Sequence, residues 1–380
     1  MAAIERQLML KPLRRVVPVV SIGMLGILLA SLAPVGAASA TWTSPLGDKT
    51  YFNLPSTEVE TSGWAEGMQG VSFGSYAGDQ YVFFSSRTKI HGWPIGNSTR
   101  YGLDYLKRTP TWHSNVPDDL PGEPHFGDLD FEHNVVGTVN NQSDLIYVPY
   151  EDNKKRLTPR LAVFRVNSVS TNITYVGHGY VGGTAAKEMP WVAVKTGTQC
   201  IYTSEFHIHS SSRPFGVSEY CDSNPGDGVT LQGTPIRHQV RDFDGDQITL
   251  GRVQGGDFIM RTPTTGYLFL LAEEGPGADG LLPGNGSGSS GGGRGVYVFT
   301  TNTTIANGPF SMIDFIPAEM HPDRSEEYEG VAVGEVDPAG ANDLAHIHAI
   351  VTDNNTWEPA GQGYYFKHWR VTNDAGLELR

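Results

Sequence analysis

Short apolar runs rich in β-branched and aromatic residues recur along the chain, each bounded by turn residues: "QYVFFSS", "DLIYVPY", "RLAVFRV", "GYLFLLA", "GVYVFTT" and "HIHAIVT". Each run has the length of a strand. Helical spacing of apolar positions is interrupted almost everywhere by Gly or Pro, of which the chain holds 46 and 24. The pattern predicts an all-β protein.

The runs recur in a fixed order. A short segment holding Gly or an acid precedes a strand with a central tyrosine or phenylalanine, and a second apolar strand follows. "GMQGVSF", "HFGDLDF", "MPWVAVK", "RVQGGDFI" and "EEYEGVAVGEV" are the leading segments, beginning near residues 68, 125, 189, 252 and 326. Intervals of about 57 to 74 residues, each with room for three or four strands, predict a β-propeller of four-stranded antiparallel blades. Five blades are preferred over six. Polar residues of the leading segments would then converge on a central channel. The longest interval contains a Gly/Ser-rich insert at 275–295 with G-x-G-x-x-G at Gly286, Gly288 and Gly291. No helix pattern follows it, so it reads as a hairpin loop and not a dinucleotide-binding turn.

The combination "HFGDLD…IYVPYE", "VQGGDF…YLFL", "EEYEGVAV" and "HIHAIV" resembles secreted β-propeller proteins of unassigned activity, over most of residues 41–380. In architecture it is more distantly similar to the calcium-dependent propeller hydrolases of the lactonase and gluconolactonase type. That second resemblance implies calcium as a candidate cofactor and carries over no ligand residue.

The first 40 residues differ from the rest. Arg6, Lys11, Arg14 and Arg15 precede an apolar run from Val16 to Leu32, and Ala38-Ser39-Ala40 follows. This order predicts a secretory signal peptide over 1–40 and a single exported propeller domain over 41–380, with no membrane association after cleavage. Residues 41–380 hold 23 basic and 40 acidic side chains, a formal charge of −17. Such a surface repels phosphates and argues against nucleic acid as a partner. Export makes a Cys200–Cys221 disulfide the default expectation, with two separate buried thiols as the alternative. Sequons at Asn97, Asn141, Asn172, Asn285, Asn302 and Asn354 suggest a glycoprotein, or simply polar turns.

Candidate chemistry concentrates in "HFGDLDFEHN", His125 to Asn134. On a strand, Asp128, Asp130 and Glu132 share one face and His125 the other. They line a metal or substrate site in the channel, or they cap backbone amides in a turn. Gln254, Glu327 and Glu329 belong to later leading segments, and Asp128, Gln254 and Glu329 occupy one repeat position. Paired carboxylates there would permit acid–base chemistry such as glycoside hydrolysis. Asp242, Asp244 and Asp246 have the alternate spacing of a calcium turn, although Gln247 and Val253 stand where an EF-hand needs Gly and Glu. His207 with His209, and His346 with His348, could each hold one transition metal, or serve as polar partners in half-buried strands. Seven tryptophans offer sugar-stacking platforms or inter-blade core. No nucleophile elbow occurs.

These observations lead with a secreted ligand-binding propeller that takes a small molecule or carbohydrate at the central channel. Its rivals are a calcium-assisted hydrolase of lactones, esters, phosphoesters or glycosides using the channel acids, and a structural or partner-binding propeller. Whether the chain is an enzyme stays open at this stage.

Overall fold

The computed structural model describes residues 41–42, 68–76, 79–95, 112–115, 120, 122–132, 144–152, 154, 157–167, 172–180, 188–208, 216–222, 231–276, 293–317, 326–334, 346–353 and 363–372. The expected signal peptide, His209, Trp64, Trp357, the middle of the Gly/Ser-rich insert and the sequons at Asn97, Asn141, Asn285 and Asn354 lie outside them. No helix among the described residues is long and apolar enough to cross a membrane.

Among the described residues, twenty-two strands form five sheets. The first blade is β2 (Met68–Tyr76), β3 (Asp79–Ser86), β4 (Lys89–Ile95) and β5 (Trp112–Asn115), in that order. In the second, β6 (Pro124–Phe126) and β7 (Asp130–Glu132) both pair with β8 (Asp144–Asp152), followed by β9 (Arg160–Asn167) and β10 (Asn172–Tyr180). The third is β11 (Ala193–Lys195), β12 (Cys200–Thr203), β13 (Val217–Asp222) and β14 (Leu231–His238). The fourth runs β16 (Gly251–Thr262), β17 (Thr265–Glu274), β18 (Gly295–Asn302), β19 (Phe310–Pro317), with β15 (Val240–Arg241) parallel to β19 at its edge. The fifth joins β20 (Glu326–Gly334), β21 (His346–Asp353) and β22 (Gly363–Thr372) to β1 (Thr41–Trp42). An early strand thus completes the last blade and closes the ring with backbone hydrogen bonds. Innermost strands touch in the cyclic order β2, β7, β11, β16, β20 and back to β2.

The five-bladed propeller is the expected fold. Two blades exceed the expected four strands, because the second splits its inner strand and the fourth gains β15 from the chain leaving the third. The insert at 275–295 connects β17 to β18, which pair directly from Ala272 with Gly295, so it is a hairpin connection. Cys200 and Cys221 lie opposite each other on β12 and β13 and form the expected disulfide.

Both faces of a central blade are apolar, which is why its strands read as continuous hydrophobic runs. Along β8, Ile146, Val148 and Tyr150 pack with Phe83 and Phe126 toward the first blade, whereas Leu145 and Tyr147 pack with Val192 and Ile201 toward the third. Along β17, Leu268 and Leu270 join Trp191 and Tyr202, while Tyr267, Phe269 and Leu271 join Val331 and Ile347. Each such side chain contributes roughly 1.5–3 kcal/mol by leaving water.

Among the described residues, inner strands of neighbouring blades meet in one isolated bridge, Asp128 with Trp191, so other axis-facing amides need other acceptors. Buried carboxylates supply them. Asp128 Oδ1 accepts from Val71 N at 2.9 Å, and Oδ2 accepts from Gly256 N at 3.0 Å and Val331 N at 3.1 Å. Its backbone bridges to the third blade, donating to Pro190 O and accepting from Val192 N. One residue of the second blade therefore ties all the others together. Asp130 Oδ2 accepts from Val194 N and its Oδ1 from Ser72 Oγ, and Asp257 Oδ2 accepts from Val333 N. Glycines permit this closeness: a Cβ on Gly330 would lie 2.7 Å from both Asp128 Oδ1 and Gly70 Cα, and one on Gly256 would lie 2.2 Å from the Trp191 ring.

Candidate functional site at the propeller mouth

Three inner strands carry a β-bulge at matching places. The register shifts between Met68 and Gly70 on β2, between Val253 and Gly255 on β16, and between Tyr328 and Gly330 on β20. The residues left out of register are Gln69, Gln254 and Glu329, each followed by glycine. A bulge re-aims its side chain, and here Gln254 meets Glu329 and Glu327. Gln254 Nε2 donates to Glu327 Oε1 at 3.1 Å and stands 3.4 Å from Glu329 Oε2. Arg252 spans the group, with one nitrogen 2.6 Å from Glu327 and the other 2.6 Å from Glu273 on β17. Arg294 lies 3.6 Å from Glu273. Arg252 has φ +52°, a left-handed conformation that side chains of its size seldom adopt. Strain of this kind persists where surrounding structure enforces it, often at functional sites.

Burial pushes the Glu329 carboxyl well above the usual range, and the neighbouring Glu327 and Glu273 push it the same way, against Arg252. Burial also raises Glu273, with Arg294 and Arg252 opposing. Gln254 is 7% exposed, and its Oε1 is buried without a partner among the described residues. The mouth therefore offers a carboxyl on Glu329 whose proton affinity burial raises, two neighbouring glutamates, and, among the described residues, a buried acceptor without a donor.

The repeat position shared by Asp128, Gln254 and Glu329 predicts that these three line one channel; the structure puts Gln254 beside Glu329 and Glu327 and engages Asp128 elsewhere. Asp128 lies deeper than Gln254 and Glu329, because it receives the amides of Gly256 and Val331, two residues further along each strand. Its oxygens, and those of Asp130, are engaged by backbone amides and Ser72. Half-buried His125 stands opposite Glu151 on β8. His348 is fully buried, its ring 4.6 Å from Phe73 and its Nε2 3.2 Å from Gly334 O, and so serves the core. His207 is half-buried beside Phe206, and His346 opens β21. In the acidic turn, Asp242 Oδ1 caps Asp246 N at 2.8 Å, while Asp244 and Asp246 are exposed. Among the described residues, the group of three potential metal ligands with atoms within 4.8 Å of one another is Cys200, Glu219 and Cys221, and its sulfurs form the disulfide. Trp191 is core, donating to Ser204 Oγ.

Sequence reasoning missed Arg252, Glu273 and Arg294. Arg252 is two residues from Gln254, which on a regular strand would put both on one face, a signal available in advance. Glu273 reaches the cluster from the far end of a hairpin, and Arg294 from the end of the Gly/Ser-rich insert.

The raised acids set the pH dependence of stability. A carboxyl whose folded pKa exceeds its unfolded value binds protons more tightly when folded, so its stabilisation is full below the unfolded value and lost as pH rises through the folded one. Glu273 and Glu329 follow this sign, as does Asp314, which burial pushes up to about 6. Glu219 has the opposite sign. Burial raises it, but hydrogen bonds from His238 and Lys195 outweigh that and hold it below 4.5, so its contribution is lost only at lower pH. The melting temperature is therefore expected to peak near pH 5 and to fall toward pH 8. Asp314→Asn should remove part of the fall between pH 4 and 6 and raise stability at pH 8 by about 1 kcal/mol, allowing for solvent screening of a partly exposed group. Melting curves across that range check it, and an unchanged Asp314→Asn profile would remove Asp314 as a source.

The fold and mouth define a β-propeller with an acid cluster at the end where its inner strands begin. No protein-family model matches the sequence, and no curated protein matches it. Solved structures do. The GH43_1 enzyme from Xanthomonas citri complexed with xylose has 9% identity and a TM-score of 0.52, covering 86% of this chain and 91% of that one. Levansucrase from Bacillus subtilis has 11% identity and a TM-score of 0.48, with 90% and 93% covered. Levansucrase from B. megaterium has 10% identity and a TM-score of 0.47, with 90% and 94% covered. The first likeness shows the propeller fold.

Proposed function

We propose that this chain is an exported propeller that binds carbohydrate at the mouth formed by Arg252, Gln254, Glu327 and Glu329. The observation that carries the reading is the shared hydrogen bonding of Gln254 with two glutamates, beside a buried amide oxygen that needs a donor. Sugar hydroxyls donate and accept at once, so they suit Glu327, whose side chain is 28% exposed beside the Gln254 amide. The guanidinia of Arg252 and Arg294 offset carboxyl charge at Glu327 and Glu273, which suits a neutral ligand. The xylose-bound enzyme of like fold is consistent with this ligand class.

A second reading, glycoside hydrolysis, is favoured by Glu329 itself. A carboxyl whose proton affinity is raised by burial beside another carboxyl is the equipment for protonating a leaving glycosidic oxygen. Both carboxylates reach one amide nitrogen, so their nearest oxygens are at most about 6.5 Å apart, closer than most pairs that admit a water between them. Such spacing fits direct attack by the second carboxylate.

Calorimetric titration with neutral xylo-, arabino-, fructo- and gluco-oligosaccharides tests the binding reading. One class is expected to bind with a dissociation constant in the micromolar to millimolar range. Gln254→Ala should weaken it at least tenfold, and EDTA should not. A wild-type protein that binds none of the four sinks the proposal.

A further inference from the structure

We infer that the outer edge of the second blade carries a separate sugar-stacking platform centred on Tyr180. Among the described residues, Tyr180 is the most exposed large apolar side chain, at 62%. It ends β10, the outermost strand of its sheet, far in blade order from the inner-strand mouth. Its ring is nonetheless fixed. Arg160, directly across on β9, places its guanidinium carbon 4.5 Å from the ring centroid and donates to the Tyr180 hydroxyl at 2.9 Å. Arg160 is itself buried and braced by His178. A guanidinium only donates, so His178 Nε2 accepts from it, and Nδ1 then carries the proton and donates to the Tyr175 hydroxyl. The chain Tyr175, His178, Arg160, Tyr180 thus braces one aromatic ring that is 62% exposed.

A locked ring loses little side-chain entropy when a ligand stacks on it. Its negative π face attracts the polarised C–H bonds on one side of a pyranose. The size of the feature selects the occupant. A stable protein partner needs about 800 Å² from each side with a contiguous apolar centre, whereas the observed feature is a single exposed ring set against an arginine. One sugar unit of a polysaccharide fits it. The platform would hold long chains on the outside of the ring, and it rests on the carbohydrate reading above.

Native affinity electrophoresis in gels containing soluble xylan, arabinan or hydroxyethylcellulose tests this. The wild type should be retarded by at least one of the three. Tyr180→Ala should raise the apparent dissociation constant at least fivefold, while Tyr180→Phe, which keeps the ring under the Arg160 guanidinium but gives up the hydroxyl bond that helps fix it, should raise it less than Tyr180→Ala does. Titration of short oligosaccharides at the mouth should be unchanged in both variants, which separates the two sites. Retardation of Tyr180→Ala equal to wild type, or no retardation of the wild type by any of the three, overturns the platform. Loss of oligosaccharide binding in Gln254→Ala with the Tyr180 effect intact would leave both sites standing. An unaffected Gln254→Ala would remove the mouth alone.

Discussion

Asp128→Ala is expected to abolish the folded propeller or to lower its melting temperature by more than 10 °C. Three buried amides, from Val71, Gly256 and Val331, lose their acceptor together. Each unsatisfied buried donor costs about 1–3 kcal/mol, and a folded domain has about 5–15 kcal/mol in total. The amides belong to three different blades, so the loss falls on ring closure and not on one sheet. Asp128→Asn gives the intermediate case. Its carbonyl can serve Gly256 and Val331, but its NH₂ then faces the Val71 amide, donor against donor. A loss of about 2 kcal/mol is expected. Soluble yield and urea denaturation of the two variants measure the series. An Asp128→Ala protein that melts within about 2 °C of wild type contradicts the axial tie.

The density of acids in "HFGDLDFEHN" is explained by that tie. The sequence shows charged residues on a would-be inner strand, but backbone amides carry no letter, so their need for an acceptor is invisible in it. Asp128 and Asp130 therefore look like channel lining when read from side chains alone. The propeller itself was legible for the opposite reason. Strands packed on both faces, such as "DLIYVPY" and "GYLFLLA", must be apolar throughout, and the leading segments begin within a few residues of β2, β6, β11, β16 and β20. The mouth was half legible. Gln69-Gly70, Gln254-Gly255 and Glu329-Gly330 repeat a polar residue before glycine, which marks a bulge followed by close backbone approach. That signature picks out Gln254 and Glu329. Glu273 carries no such mark, because it belongs to the neighbouring strand and arrives only through pairing.

Glu329→Gln separates binding from catalysis at the mouth. Gln keeps the shape of the side chain and its capacity for hydrogen bonds, so oligosaccharide affinity is expected to stay within about threefold of wild type. It cannot give up a proton to a leaving oxygen, and loss of a general acid typically costs 10²–10⁴ in turnover. The loss should be smaller for aryl glycosides, whose leaving groups depart without protonation, than for natural linkages. Stability should move the other way. Burial and the adjacent Glu327 and Glu273 disfavour the ionised form of Glu329, so a neutral amide removes that penalty and should raise the melting temperature above pH 7. A variant that is more stable, binds normally and turns over poorly identifies Glu329 as the acid. One that hydrolyses natural linkages at the wild-type rate assigns the proton elsewhere and leaves Glu329 as part of the binding surface, while a wild type that binds sugar without cleaving any linkage makes the mouth a recognition site in which Glu329 serves as a hydrogen-bond donor.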